Sequence, residues 1–278
     1  MAIQNRHLAG KVAWVTGSSR GIGRVVADHL AACGATVAVH GTTPTSARAF
    51  NEAESLTAVA EAIAAAHGVE TLAVHGDLSR EAEVKRAVGE IRARFGRIDI
   101  LVNCAGGDIG AAGTGAPDAG RPQRNDALNI SPEDMQAVFD RNLMSCVWCC
   151  REVAPEMMAR RAGHIVNFGS NAGLVGDEIG AMYATAKAAV THYSRCLAAQ
   201  LRRYNVAVNV VAPGTIVTAR IIASNQVEPD RLNESGRLDR YGWPIEIARL
   251  VEFLVSDTNT YMTGQVLRID GGEQLWPA

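Results

Sequence analysis

A tyrosine, a lysine and a serine form the group of side chains in this sequence that is best suited to proton transfer. Tyr183 and Lys187 are four residues apart, which puts them on one face of a helix, and Ser170 lies thirteen residues before the tyrosine. A phenol has a reference pKa of about 10, so it needs a nearby cation to exchange protons near neutral pH. Lys187 can supply that cation, and Ser170 can steady a substrate oxygen. The spacing therefore indicates acid–base chemistry on an oxygen atom.

A glycine-rich turn near the start of the chain supports that interpretation, since Tyr-x-x-x-Lys alone often arises by chance. The apolar stretch 12–15 runs into Thr-Gly-Ser-Ser-Arg-Gly-Ile-Gly at 16–23, and a helical stretch follows. Because Gly17, Gly21 and Gly23 lack side chains, the backbone can approach a pyrophosphate and the N-terminus of the helix can face it. The spacing is G-x-x-x-G-x-G, unlike G-x-G-x-x-G. The strand, turn and helix around it favour a dinucleotide site over a turn without a ligand.

The residues after the second and third strands bear on which nucleotide binds. An acid at the end of the second strand would accept hydrogen bonds from ribose hydroxyls and repel a 2′-phosphate. The sequence has Gly41 and Thr42 there, and Arg20 can bring a positive charge to the same ribose. Since arginine pairs well with phosphate, the pattern favours NADPH (NADP) and leaves NAD as the alternative. Asp77 and Leu78 can place a carboxylate at the adenine, or supply an ordinary charge at a helix N-terminus.

Short β-branched runs alternate with longer helical runs along the whole chain. The predicted strands are Val12–Thr16, Thr36–His40, Thr71–His75, Ile98–Asn103, His164–Phe168, Val206–Val211 and Gln265–Ile269. The predicted helices are Gly23–Cys33, Glu52–Ala66, Glu81–Phe95, Pro132–Arg160, Ala181–Tyr204 and Pro244–Val255. This alternation, with nearly continuous apolar strands, predicts an α/β fold: a single-domain, doubly wound (Rossmann) parallel sheet of about seven strands with helices on both faces, spanning residues 1–278.

Two connections are too long for ordinary loops of such a fold. Residues 107–130 are rich in Gly and Ala, and residues 213–243 mix apolar and charged side chains. Both follow predicted strand ends, where ligands bind in open parallel sheets, so we expect them to cover the site. The first connection carries polar side chains that could bind a hydroxylated or anionic ligand or simply face solvent, namely Arg121, Arg124, Asn125 and Asp126.

Charge and hydropathy favour a protein that acts on small molecules. The net charge is −2 and the sequence pI is about 6.4, so no global positive field exists to attract nucleic acid or an anionic membrane. The longest apolar runs, such as 206–212, fall far short of the roughly 20 residues that span a bilayer. The sequence begins without the apolar region of a signal peptide. We therefore expect a cytoplasmic protein.

The six cysteines do not form the pattern of a small secreted disulfide framework, so free and buried thiols are expected. Cys146, Cys149 and Cys150 superficially suggest a metal or redox motif. They fall within a long apolar helix, however, and no second ligand cluster accompanies them. We interpret them as core residues and predict no metal site.

Taken together, these motifs resemble the classical short-chain dehydrogenase/reductase family over nearly the whole chain. Segment 16–23 is similar to its cofactor motif, 103–106 to its Asn-x-Ala-Gly strand end, and 213–218 and 270–272 to later signatures. The residues that resemble its catalytic tetrad are Asn142, Ser170, Tyr183 and Lys187. The positions implied to bind the cofactor are Gly17, Ser19, Arg20, Gly21, Ile22, Gly23, Gly41, Thr42, Asp77, Leu78, Asn103, Ala105, Gly106, Tyr183, Lys187, Pro213, Gly214, Ile216 and Thr218.

The resemblance also implies a role for each member of the tetrad. Tyr183 is the acid in reduction and the base in oxidation, and Ser170 polarises the substrate oxygen. Lys187 lowers the pKa of the phenol and holds the nicotinamide ribose. Asn142 is expected to anchor a water that connects Lys187 to solvent; on sequence alone it would be a packing residue.

Within the family the pattern is most similar to oxoacyl-carrier-protein reductases and to sugar or polyol dehydrogenases. The resemblance implies an NADP(H)-dependent oxidoreductase that interconverts a carbonyl and a secondary alcohol of a 3-oxoacyl thioester, ketone, sugar or polyol. The long connection 107–130 puts an acyl-carrier-protein substrate in question. The alternatives are an NAD-dependent sugar or polyol dehydrogenase and a non-catalytic nucleotide-binding sensor or scaffold. The long helices 132–160 and 181–204 lead us to expect a homotetramer.

Overall fold

The computed structural model describes residues 6–233 and 237–275, so residues 234–236 of the second long connection lie outside the described part. Seven parallel strands form one sheet in the order β3-β2-β1-β4-β5-β6-β7. The strands are β1 Val12–Thr16, β2 Thr36–Gly41, β3 Thr71–His75, β4 Ile100–Asn103, β5 Gly163–Phe168, β6 Val206–Pro213 and β7 Val266–Ile269. The predicted doubly wound sheet is confirmed, and each predicted strand is present within two residues of its expected ends.

Helices cover both faces of the sheet. They are α1 Gly21–Ala32, α2 Leu56–His67, α3 Glu81–Phe95, α4 Pro132–Phe139, α5 Ser145–Arg160, α6 Ala181–Leu201, α7 Ala219–Ser224 and α8 Pro244–Val255. Alternate residues of a strand point to opposite faces. Thus Ala13 and Val15 pack in a core with α1, α2 and α8, whereas Trp14 packs in a second core with α3, α5 and α6. Among the described helices, none combines the length and the apolar character needed to cross a bilayer.

The second helix begins four residues later than the sequence predicts. Ser55 provides the reason, because its hydroxyl accepts a hydrogen bond from the Ala58 backbone N–H at 3.0 Å and so caps the helix at Leu56. The predicted first residue, Glu52, stays in the preceding loop. Its carboxylate accepts a hydrogen bond from the Gly21 backbone N–H at 2.9 Å, which draws it toward the glycine-rich turn.

The predicted single helix over 132–160 is interrupted. A π-helical turn, Asp140–Met144, separates α4 from α5, and Ser145 N–H donates to the Asp140 carbonyl five residues earlier. Such turns are rare and occur frequently at functional sites. The turn contains Asn142, whose side chain makes three backbone contacts that are described below.

The cysteine cluster lies in the core, as predicted. Cys146, Cys149 and Cys150 are buried between α5 and the sheet, and all six cysteines are free. The expectation of burial does not hold for two of the six: Cys196 is exposed, and Cys104 is partly exposed next to the cavity described below. Burial raises the pKa of Cys104 to about 12, so it stays a thiol.

Candidate active site

A cleft of about 620 Å³ opens at the carboxyl ends of the strands, where the strand order reverses between β1 and β4. Connections leave this point toward opposite faces of the sheet, and the resulting crevice is the usual ligand site of doubly wound folds. Of the predicted catalytic and cofactor residues, all except Asn103 and Asn142 line it. The fold thus brings the glycine-rich turn and the Tyr-Lys pair, far apart in sequence, to one cavity.

The glycine-rich turn is packed against the loop that follows β4. Gly17 has a φ of +67°, and a Cβ there would lie 2.8 Å from the Ala105 Cα. A Cβ on Gly23 would lie 2.5 Å from the Gly17 carbonyl oxygen. Larger residues therefore do not fit at these two positions. The backbone is left bare at the N-terminus of α1, as an approaching pyrophosphate would require.

His40 holds the same turn from beneath. It is 2% exposed, and its Nδ1 accepts a hydrogen bond from the Gly17 N–H at 3.2 Å while Nε2 lies 3.1 Å from the Gly76 carbonyl. This pattern requires the neutral ring with its proton on Nε2. Burial lowers the pKa of His40 to about 4, which keeps the ring neutral. These contacts give His40 a structural role.

At the proton-transfer end, Lys187 is buried at 5% exposure on α6. Its Nζ donates to the Phe168 carbonyl at 2.8 Å and lies 5.7 Å from the centre of the Tyr183 ring. Ser170 follows β5, and its Oγ accepts a hydrogen bond from the Ala172 N–H at 3.2 Å. The arrangement places an ammonium group beside a phenol and a hydroxyl on the same cavity wall.

Asn142 and Asn103 lie behind the wall rather than on it. Asn142 is 1% exposed, and its Oδ1 accepts from the Gly107 N–H at 2.9 Å. Its Nδ2 donates to the carbonyls of Gly107 and Val138 at 2.9 and 2.8 Å. Asn103 donates to Asn167 Oδ1 at 2.8 Å, inside the sheet. The carboxamide of Asn142 therefore fixes the chain after β4, and that of Asn103 links β4 to β5.

The opposite end of the cavity holds the residues predicted to choose the nucleotide. Arg20 Nη1 donates to the Ser46 carbonyl at 2.6 Å, and its guanidinium lies 5.4 Å from the centre of the Phe50 ring. Burial lowers the pKa of Arg20, and the negative charge of Glu52 opposes that shift. Arg20 is thus held in place on the wall of the cavity that Thr42 also lines. Its acidic neighbour is Glu52, which the sequence had placed at the start of the second helix.

The long connection after β4 covers the other side of the cavity. Asp108 is 8% exposed, and its Oδ2 accepts from Asn125 Nδ2 at 2.6 Å and from Arg121 Nε at 3.3 Å. Arg121 also donates to Asn225 beyond α7 at 3.2 Å. Arg121 and Asn125, two of the polar side chains considered as ligands, therefore fix residues 107–130 in place. Asp126, a third, accepts backbone hydrogen bonds within its own turn.

Comparison with known proteins agrees with this geometry. Residues 11–228 match the family described as short chain dehydrogenase. The chain belongs to the short-chain dehydrogenase family. Cyclohexanol dehydrogenase of Rhodococcus sp. (strain TK6) is 37% identical over 274 residues, covering 96% of this chain and 97% of that enzyme. A 3-oxoacyl-(acyl-carrier-protein) reductase of Staphylococcus epidermidis is 35% identical over 262 residues, covering 94% of this chain and 98% of the reductase.

A solved structure of the short-chain dehydrogenase family also matches. The 3-oxoacyl (acyl-carrier-protein) reductase of Agrobacterium tumefaciens, solved with NADP bound, superposes with a TM-score of 0.80 at 30% identity and covers 98% of both chains. Membership of the family confirms the resemblance found in the sequence. It also makes this chain an oxidoreductase that acts on CH–OH groups.

The structure adds cavity residues that the family motifs did not indicate. Further wall residues are Ser46, Glu52, Ile109, Arg141, Ser145, Phe168 and Arg220. Arg220 had the clearest signal in sequence, since it lies two residues after Thr218, at the start of the second long connection. Ser46, Glu52, Ile109 and Arg141 could not be found from spacing, because loops or the π-helical turn bring them to the cavity, whereas Ser145 begins α5 and Phe168 ends β5.

Proposed function

We propose that this chain is an NADP(H)-dependent oxidoreductase that interconverts a carbonyl and a secondary alcohol, with Tyr183 as the acid–base residue. The observation that carries the proposal is the buried Lys187 ammonium, 5.7 Å from the Tyr183 ring, on a cavity that also contains the glycine-rich turn. A cation next to a phenol stabilises the phenolate, which a proton donor for a carbonyl oxygen must become. These features support a nucleotide cradle and a proton source in one cavity.

The cavity residues fit a nicotinamide dinucleotide. Gly17 and Gly23 have no room for a Cβ, and the backbone they expose faces the cavity at the N-terminus of α1. Gly106 has a φ of +138°, and a Cβ there would lie 2.5 Å from Asn142 Oδ1. The NADP found in the similar Agrobacterium reductase supports the same assignment. We assign the phosphates to 17–23, the adenosine to Thr42, Asp77 and Leu78, and the nicotinamide end to Ala105, Gly106, Lys187, Pro213, Gly214, Ile216 and Thr218.

When bound, the nucleotide supplies a hydride to the carbonyl carbon or accepts one from the alcohol carbon. In reduction the Tyr183 hydroxyl gives its proton to the carbonyl oxygen, and in oxidation the phenolate takes the proton from the alcohol. The Ser170 hydroxyl donates a hydrogen bond to the same oxygen and holds it in place. Lys187 stabilises the phenolate. Asn142 keeps the chain after β4 in position and, as the family implies, lies near the water that returns the proton.

Arg20 supports a preference for NADP over NAD. Its guanidinium is fixed by Ser46 and Phe50 at the wall where the adenosine ribose is expected, and Gly41 and Thr42 leave space there. A guanidinium forms strong paired hydrogen bonds with phosphate. The substrates we propose are ketones, 3-oxoacyl thioesters, sugars and polyols. The names of the cyclohexanol dehydrogenase and of the two reductases support the first two classes.

The test is a comparison of the Tyr183→Phe variant with a matched control, Tyr261→Phe. Tyr261 is 99% exposed, so its hydroxyl has no role in the cavity. Loss of the Tyr183 hydroxyl should lower kcat by about 10²- to 10⁴-fold, the usual contribution of a general acid. NADPH affinity, measured by fluorescence titration, should change by less than about twofold. Near wild-type turnover in Tyr183→Phe would refute the proposal. NADPH binding without turnover of any carbonyl or alcohol by the wild type would favour the non-catalytic alternative.

A further inference from the structure

Arg220 is a cation on the cavity wall that the proposed reaction does not use. It lies at the second position of α7, directly after the connection from β6, and is half-buried. Its Nη2 donates to the Asp108 carbonyl at 2.6 Å. Its Nε is shielded from water and has no hydrogen-bond partner among the described residues. One of the three guanidinium nitrogens is therefore satisfied by the protein.

No carboxylate in the described ranges forms an ion pair with Arg220. Asp108 offers Arg220 its backbone oxygen. The Oδ2 of the Asp108 carboxylate is held by Arg121 and Asn125, and Oδ1 has no hydrogen-bond partner among the described residues. Burial lowers the pKa of Arg220, and its interactions with Tyr183 and then Asp108 oppose this shift. A partly buried cation without a paired anion is costly, and such groups concentrate at functional sites.

Local packing places Nη1 of the Arg220 guanidinium beside Gly107, near the expected nicotinamide. Nη1 makes no hydrogen bond within the described chain, and it lies 3.4 Å from the position that a Cβ on Gly107 would take. Gly107 has a φ of +137° and follows Gly106, which lies under the expected nicotinamide. Arg220, Tyr183 and the two glycines thus line the same cavity.

We propose that Arg220 binds a carboxylate of the substrate, so that the natural substrate is an oxo acid or the corresponding hydroxy acid. This inference rests on the proposed function. A guanidinium is always charged and holds a carboxylate through two parallel hydrogen bonds, which would orient the reacting carbon toward Tyr183. Neutral ketones would still react, but without this orientation.

The kinetic test uses pairs of ketones in which a carboxylate is replaced by its neutral methyl ester: 4-oxopentanoate and acetoacetate, each against its methyl ester. Wild-type enzyme with NADPH should show a kcat/KM at least tenfold higher for the acid of each pair. Arg220→Gln should lower that acid-to-ester ratio by about 10- to 100-fold, and Arg220→Lys should retain part of it. The ratio cancels general losses of activity, since the ester passes through the same chemical step.

Arg121→Gln serves as the structural control. Arg121 fastens the same connection to Asp108 and to Asn225, yet it does not line the cavity. If Arg220 served only to close the connection, Arg121→Gln would reduce the acid-to-ester ratio equally, and the proposal would be overturned. Titration calorimetry of 4-oxopentanoate into enzyme saturated with NADP⁺ gives a readout without turnover. We expect binding by the wild type and by Arg121→Gln, and none by Arg220→Gln.

Two further outcomes would overturn the assignment of Arg220. Wild-type enzyme that reduces acids and esters equally well would leave the proposed function intact but remove the carboxylate site. A tenfold loss of NADPH affinity in Arg220→Gln would assign this cation to the nucleotide phosphates instead. Failure of the wild type to bind either nucleotide would be a different result, because it would refute the proposed function itself.

Discussion

Nucleotide choice can be tested by charge substitution, because the cation Arg20 and the anion Glu52 lie together on the wall near the expected adenosine ribose. Arg20 is fixed by the Ser46 carbonyl and the Phe50 ring, and Glu52 lies next to it with its carboxylate on the Gly21 N–H. Arg20→Gln removes the positive charge, whereas Glu52→Gln removes the negative charge and keeps an acceptor for Gly21. The two substitutions should therefore move the ratio of kcat/KM for NADPH to that for NADH in opposite directions.

The expected changes in this kcat/KM ratio follow from the charges that each substitution removes. A hydrogen bond to a charged group contributes about 1.5–3 kcal/mol, which corresponds to about 10- to 150-fold in the ratio. Arg20 is half-buried, so water screens part of this interaction, and we expect a decrease of about 10- to 30-fold. For Glu52, we take a separation of about 6 Å between its carboxylate and the 2′-phosphate; at an effective dielectric constant between about 40 and 80 these charges repel each other by about 0.7–1.4 kcal/mol. Glu52→Gln should thus raise the ratio by about three- to tenfold.

The assay measures initial rates with both nucleotides at fixed ionic strength for the wild type, the two single variants and the double variant. Arg48→Gln is the control, since Arg48 is exposed in the same loop but does not line the cavity. The control should keep the wild-type ratio. A wild-type preference for NADH, or an unchanged ratio in Arg20→Gln, would show that Arg20 does not contact a 2′-phosphate.

The remaining predictions concern stability and assembly. Burial lowers the pKa of His40 to about 4, below the value near 6.5 of the unfolded chain. The unfolded state therefore binds the proton more tightly than the folded state. The free energy of unfolding should thus fall as pH drops below about 6.5, by about 2 kcal/mol at pH 5. Urea titrations should show a smaller fall for His40→Gln than for the wild type. Gly106→Ala should lower the free energy of unfolding by about 1–3 kcal/mol at neutral pH, because its Cβ would meet Asn142 Oδ1 at 2.5 Å; an unchanged urea midpoint would contradict this. Light scattering at micromolar concentration should give the mass of a homotetramer assembled through 132–160 and 181–204, and a monomeric mass would refute that expectation.

Much of the fold could be predicted because its signals are local. The apolar runs of 12–16 and 206–211 match buried strands, since a parallel strand covered on both faces needs apolar residues throughout. The true start of α2 was missed for a local reason as well, because the cap at Ser55 competes with the helix-forming residues before it. The π-helical turn at 140–144 left no sequence signal, since Asn142 in this turn packs against Gly107, which is distant in sequence.

The sequence by itself determined the type of sheet, the glycine-rich turn and the spacing of Tyr183 and Lys187, because periodicity and short-range geometry specify these features. Only the tertiary structure decided that Glu52 lies beside Arg20 and that Arg220 lines the same cavity as Tyr183. Both residues sit on connections that leave different strands, and their positions depend on where those strands stand in the sheet. The physical reason is that long connections take their course from the packed elements they cover. Local motifs therefore specify the residues proposed for proton transfer. Long-range packing brings to the cavity the residues proposed to select the nucleotide and the substrate.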